Sequence, residues 1–224
     1  MTGRFTRPLP ASAEHLDHLG AALGALRGEL TRLERWGAEL RMVLGGGGRV
    51  LTCGNGGSAA EAQHLTAELV GRYRDDRAPF SAICLSSESS SCTAIGNDYG
   101  PDEVFARQVR AHGRAGDVLL ALSTSGASGN VVAAANAARE CGLRTWALTG
   151  RGPNPLTAAS DDALCVPTPH TATVQEVHLV ALHLVCAAFD QAALPRSAAP
   201  RLQGTVPVSG RDSRGQSPSQ EAVA

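Results

Sequence analysis

Nothing in this sequence reaches the unbroken run of about 18 apolar residues that a membrane-crossing helix requires. Its opening residues, Met1-Thr2-Gly3-Arg4-Phe5, lack the apolar centre of a secretory signal. There is no excess of positive charge: 20 basic side chains face 21 acidic ones, for a net charge of -1. That balance leaves no basic footprint for nucleic acid. The six cysteines, at 53, 84, 92, 141, 165 and 186, show no CxxC spacing. Scattered inside apolar stretches, they read as small buried residues of a reduced compartment, not as a disulfide framework. The expected location is therefore the cytoplasm. The GxxxxGK[ST] loop of nucleoside triphosphate binders is also missing. Aromatic residues supply only 4% of the chain, yet its hydrophobic share of 43% over 224 residues suffices for one domain with a full core.

What is present falls into three zones. Residues 1–11 hold two prolines and little periodicity, as a loose arm would. Residues 12–193 form the domain. From 194 to 224 the chain is rich in Pro, Ser, Gly, Arg and Gln without apolar periodicity, and reads as a disordered tail.

Within the domain, Leu16, Leu19, Leu23, Leu26, Leu30, Leu33, Trp36 and Leu40 recur at alternating steps of three and four. The spacing predicts one helix over 12–44 with a single apolar seam, Ser12 as its N-cap, and a stop at Gly45 to Gly48. Such a seam serves an internal core or a second subunit equally well. Short apolar runs then alternate with helical patterns. Strands are expected at 50–53, 81–85, 118–122, 145–148 and 163–166, and helices near 59–73, 102–112, 129–141, 153–159 and 173–192. This alternation implies an α/β fold, a parallel sheet of about five strands flanked by helices, with ligands beyond the carboxyl ends of the strands.

The loops after the first three strands are therefore the informative ones. After the first comes Gly54-Asn55-Gly56-Gly57-Ser58, where backbone N–H groups can approach an anion at a helix start; a plain strand-to-helix turn would look the same. One turn further along that helix, His64 and Glu68 stand four residues apart and so share a face, suited to acid/base or metal chemistry. After the third strand comes Ser123-Thr124-Ser125-Gly126-Ala127-Ser128, with more hydroxyls than capping a helix needs. Neither loop contains Lys or Arg, which favours a sugar monophosphate held by dipoles and hydroxyls. After the second strand, Ser86 to Ser91 reads as a serine-rich loop, and Asn97-Asp98-Tyr99-Gly100 before Pro101 as turn chemistry, although Asn97 and Asp98 could also bind sugar hydroxyls. The last helix carries Gln175, His178 and His183. His178 can be purely structural. Gln175 and His183 are separated by about 12 Å of helical rise, so one small site using both would draw them from two subunits.

CGNGGS, HxxxE followed by GRY, GNDxG, GDVLLALSTSGxS, ALTG and QEVHxxxxH, in this order over about 12–192, resemble the sugar isomerase (SIS) domain, and more narrowly the phosphoheptose isomerases. The resemblance implies a flavodoxin-like sheet, a homotetramer with sites near subunit interfaces, and one zinc ion per site held by His64, Glu68, Gln175 and His183. It implies substrate contacts from Asn55, Gly56, Gly57, Ser58, Glu68, Asn97, Asp98, Ser123, Thr124, Ser125, Ser128 and Gln175. Glu68 and His183 match the family's acid/base pair for interconverting D-sedoheptulose 7-phosphate and D-glycero-D-manno-heptose 7-phosphate. Two positions depart from the pattern: Ala127, where Asn is frequent, and Ala59, where some members have a larger polar residue. Binding proteins that associate with replication initiators share the loops but lack the acid of HxxxE and the final histidine, both of which stand here. A phosphosugar-sensing regulator would need a DNA-binding segment that the charge pattern does not supply.

Overall fold

The computed structural model describes residues 10–192. The expected tail over 194–224 lies outside the described residues, as does all but the end of the expected arm over 1–11.

Five strands form one parallel sheet in the order β2-β1-β3-β4-β5. They are β1 (Val50–Cys53), β2 (Ala82–Cys84), β3 (Val118–Ser123), β4 (Arg144–Thr149) and β5 (Asp162–Cys165). The flavodoxin-like order follows from the connections: every crossover carries a helix, so neighbouring strands run parallel and both faces are covered. Strand residues alternate between the two cores. Val118, Leu120, Leu122, Trp146 and Leu148 face one side, where α1 (Pro10–Leu26), α2 (Leu30–Gly45), α3 (Gly57–Val70) and α8 (Thr171–Gln191) pack. Leu119, Ala121 and Ala147 face the other, under α5 (Glu103–His112), α6 (Gly129–Glu140) and the short α7 (Pro155–Ala159).

Three local expectations are corrected. The long N-terminal helix already includes Pro10 and Ala11, so Ser12 lies inside it and is not its cap. It is also not one rod: a 3-10 turn over Arg27–Glu29 separates α1 from α2, and Gly28 is the weak helix former at its centre. The serine-rich run after β2 is not a loop. It starts α4 (Ser89–Tyr99), because the Glu88 carboxylate accepts hydrogen bonds from Ser91 N at 2.7 Å and Ser90 N at 3.3 Å. Hydrogen bonds from Ser91 and Ser90 hold that carboxyl down at about 2. Asn97 and Asp98 are accordingly helical, and the turn falls later, at Gly100 with φ +92.

By length and composition α8 could cross a membrane, with a mean hydropathy of 1.5 over its best window, and half of that window is buried inside this domain. It is the central helix of one core. Trp36 of α2 and Trp146 of β4 stack at 5.0 Å on that side, and the Trp36 N–H donates to Asp162 Oδ2 at 2.8 Å. Burial opposes charge on Asp162, but the Trp36 donor with Arg32 and Arg35 outweighs it and keeps the carboxyl below its usual range.

Candidate active site

The sheet reverses its direction of growth at β1: β2 was added on one side of it and β3 on the other. The crevice at such a switch point is where parallel sheets bind ligands. Here it is bounded by the loop before α3 and the loop before α6. The first loop is tied to the first turn of α6 by a reciprocal amide pair, Asn55 Nδ2 to Asn130 Oδ1 at 2.9 Å and Asn130 Nδ2 to Asn55 Oδ1 at 3.0 Å. Gly56 has φ +54, a conformation that side chains resist, and directs the chain into α3. At Gly57 the need is space: a Cβ there would lie 2.4 Å from Gln175 Nε2. Ser58, next along, is buried.

The second loop is a hydroxyl cluster. Ser123 Oγ lies 3.0 Å from Ser128 Oγ and 3.4 Å from Ser125 Oγ, and accepts from the Gly126 N–H at 3.2 Å. Ser125 Oγ accepts from the Ala127 N–H at 3.1 Å. Ser128 stands at the N-cap of α6 without making a side-chain cap bond, so its hydroxyl belongs to the cluster and not to the helix end. Thr124, half-buried, fixes the loop through its carbonyl, which accepts from Gly150 N at 3.1 Å. Hydroxyls and amides gathered at a helix N-terminus, with no cation among them, can bind a phosphate monoester. Asn97 and Asp98 are exposed at the end of α4, and among the described residues no hydrogen bond joins them to either loop.

Two or three turns down α3 lies a second cluster. His64 Nε2 is 2.9 Å from His183 Nε2 and 3.3 Å from Glu68 Oε1, and one ligating atom from each of the three residues falls within 4.8 Å of the others. Tyr73 stacks on the His183 ring at 5.6 Å. Burial lowers the basicity of His183, His64 and Arg74 lower it further, and Glu68 partly opposes them, so the imidazole stays below its usual range.

Gln175 is not in this cluster. The contacts pair Gly57 with Gln175 and His64 with His183, so α3 and α8 run side by side in the same direction. Gln175 therefore sits at the phosphate-type loop, about 12 Å of rise from His183. His178, fully buried between them, has its Nε2 3.3 Å from the Thr149 carbonyl and Nδ1 3.8 Å from Glu61 Oε2, which is a packing role. The sequence carries no signal for Asn130 or Arg77, whose partners Asn55 and Asp190 lie 75 and 113 positions away.

Two imidazole nitrogens and a carboxylate oxygen converging from two helices form a donor set that suits a divalent zinc ion and leaves a coordination position open. A parallel sheet with a cation-free phosphate crevice and an adjacent histidine–carboxylate cluster defines a phosphosugar-handling α/β domain. Residues 19–150 match the family model described as the SIS domain. Phosphoheptose isomerase from Streptomyces coelicolor is 68% identical over 183 residues, covering 82% of this chain and 79% of that protein. The Rhodospirillum rubrum protein of the same name is 51% identical over 146 residues, covering 65% and 78%. Among solved structures, phosphoheptose isomerase from Neisseria gonorrhoeae superposes with a TM-score of 0.74 at 43% identity, covering 80% of this chain and 97% of its own. That from Francisella tularensis gives 0.75 at 33% identity, covering 83% and 100%. The chain belongs to the SIS domain family and, within it, to the phosphoheptose isomerases.

Proposed function

We propose that this chain interconverts D-sedoheptulose 7-phosphate and D-glycero-D-manno-heptose 7-phosphate through an enediol(ate). The observation that carries this reading is the meeting of Glu68 and His183, from separate helices, beside a crevice suited to phosphate. The names of the relatives support the same activity. Presence of both residues argues against a binding protein that has lost the chemistry.

In this reading the serine loop and the α3 N-terminus hold the phosphate, so that remote binding energy orients the reacting end. Glu68 removes the C1 proton of the ketose while His183 protonates the C2 oxygen, giving the enediol. His183 then takes the proton from the C1 hydroxyl as the aldehyde forms, and Glu68 returns its proton to C2. No atom is gained or lost. His64, Glu68 and His183 would hold zinc, with a fourth donor from Gln175, and a bound zinc supplies Lewis-acid stabilisation of negative charge on the sugar oxygens.

Because Gln175 lies well away from His183 within one chain, its use at the same centre calls for a second copy, in line with a homotetramer. Leu16, Val70 and Leu179, exposed by 66%, 51% and 36%, are apolar surface that assembly would cover. A cytoplasmic setting fits six cysteines that are all free thiols.

The test is direct. Glu68→Gln and His183→Ala should each lose turnover of sedoheptulose 7-phosphate by several orders of magnitude while keeping the wild-type circular dichroism spectrum. Near-normal rates in either variant would remove its assignment.

A further inference from the structure

The last turn of α3, which carries Glu68, leaves backbone carbonyls with no partner inside the helix. One side chain reaches two of them, of which the Leu69 carbonyl also accepts from Phe80 N at 3.1 Å. Arg77, nine residues beyond Glu68, donates from Nη2 to the Glu68 carbonyl at 2.6 Å and from Nη1 to the Leu69 carbonyl at 3.0 Å. Nη1 also reaches the carbonyls of Ala78 at 3.1 Å and Gly71 at 3.5 Å. The remaining edge of the guanidinium, Nε, donates to Asp190 Oδ1 at 2.9 Å. Asp190 lies seven residues after His183 on α8, so the two share a face of that helix. The ion pair is largely enclosed, with the Arg77 and Asp190 side chains 11% and 16% exposed. Phe80 and Phe189 pack against the guanidinium, with its central carbon 5.4 and 5.3 Å from their ring centres.

Resting on the reading of Glu68 and His183 as the acid/base pair, we propose that Arg77 is a positioning residue for isomerisation, a clamp that fixes the backbone of Glu68 relative to the helix of His183. Ending α3 requires less than this: the Gly71 N–H already caps it through the Ala67 carbonyl at 2.8 Å. What Arg77 adds is a rigid fork whose two edges grip the two helices that bear the reacting groups. Lysine, a compact ammonium on a flexible stem, lacks the planar fork that spans both. The aromatic pair does not depend on Arg77 for its cation, because Arg41 also lies 4.8 and 5.1 Å from the same two rings. Replacement of Arg77 therefore leaves the Phe80–Phe189 packing in place.

The experiment uses the full chain with Arg77→Gln, Arg77→Lys and Asp190→Asn, beside Glu68→Gln. Steady-state kinetics are measured with sedoheptulose 7-phosphate unlabelled and deuterated at C1, together with thermal melts. Misplacing a catalytic group by an ångström costs on the order of 100-fold, so kcat should fall about 10- to 100-fold in Arg77→Gln, and less in Arg77→Lys. KM should stay within about threefold, because the phosphate loops lie at the opposite end of α3. The deuterium isotope effect on kcat should move away from the wild-type value, since the geometry of proton transfer has changed. A purely structural residue would lower only the active fraction, leaving the isotope effect where it was; that result overturns the clamp, as does a wild-type kcat. Should Arg77→Gln fail to fold, Asp190→Asn carries the same test, because it keeps the carbonyl bonds and weakens the tie to α8. Turnover by Glu68→Gln would instead overturn the underlying assignment of the base, so the two failures are distinguishable.

Discussion

Gly126, in the middle of the serine loop, is the glycine among the described residues at which a positive φ and a Cβ contact below 3.0 Å coincide. Its φ of +63 disfavours any side chain by about 1–2 kcal/mol. A Cβ there would also fall 2.1 Å from Cγ of Asn154. That amide cannot swing aside freely. Its Oδ1 accepts from Thr157 N at 3.0 Å as the N-cap of α7, and its Nδ2 donates to Thr149 Oγ1 at 3.0 Å and the Arg151 carbonyl at 3.2 Å. Losing the cap costs about 1 kcal/mol, and losing a further hydrogen bond about 1 kcal/mol. Gly126→Ala should therefore destabilise by about 3–4 kcal/mol, or roughly 6–15 °C in Tm for a domain of this size. Because Ser123 and Ser125 lose the geometry set by the Gly126 and Ala127 amides, KM should rise by more than about tenfold. The decisive comparison is the double variant in circular dichroism melts. Asn154→Ala alone should cost about 1–2 kcal/mol, and adding Gly126→Ala to it should cost only the backbone part, because the clash is gone. Strictly additive losses, or a fall in Tm below about 2 °C for Gly126→Ala, would refute the reasoning.

Two further outcomes follow from the histidine–carboxylate cluster. Chelation should lower kcat by more than about tenfold, with recovery on adding zinc; an unchanged rate removes zinc from the chemistry but not the acid/base pair. In chelator-treated protein the His183 pKa is depressed in the folded state by burial, with His64 and Arg74 adding to it. The unfolded chain then binds the proton more readily, so this contribution to stability is intact above about pH 6.5 and is lost as pH falls towards the folded value. Denaturant midpoints measured from pH 7.5 to 5.5 should therefore drop more steeply for wild type than for His183→Gln, and parallel curves would contradict this.

The parts of the fold that could be read from the chain are those fixed by local pattern. Val118, Leu120 and Leu122 alternate with Leu119 and Ala121 inside one continuous apolar run, which is how a strand buried on both faces appears. All five strands were found to within a residue or two at each end. Glycine loops and the His64–Glu68 spacing were legible for the same reason: each motif is complete within a few residues. Helix α4 was not. Its serines favour loops by propensity, and only the Glu88 carboxylate, turned back on two amides, tips Ser89 to Tyr99 into a helix. The break at Gly28 was hidden by a leucine seam that continues through it. Arg77 was hidden because its partners are carbonyls and a carboxylate 113 positions away, which no spacing rule links.

The parallel course of α3 and α8 explains why one chain holds two subsites and not one. Each helix contributes to both: Gly57 and Gln175 at the end near the strands' carboxyl termini, His64 and His183 further along. Seven residues of α3 separate the first pair from the second, about 10 Å of rise. In the proposed reading, a phosphate held at the loops would leave the reacting carbons of a long sugar some way down the helix pair, a gap that a short phosphosugar would not span. Under the proposed function, this spacing predicts turnover of a heptulose 7-phosphate and none of a triose phosphate, which steady-state assays with both sugars would check. The same spacing sets Gln175 about 12 Å of rise from the His64–Glu68–His183 cluster of its own chain.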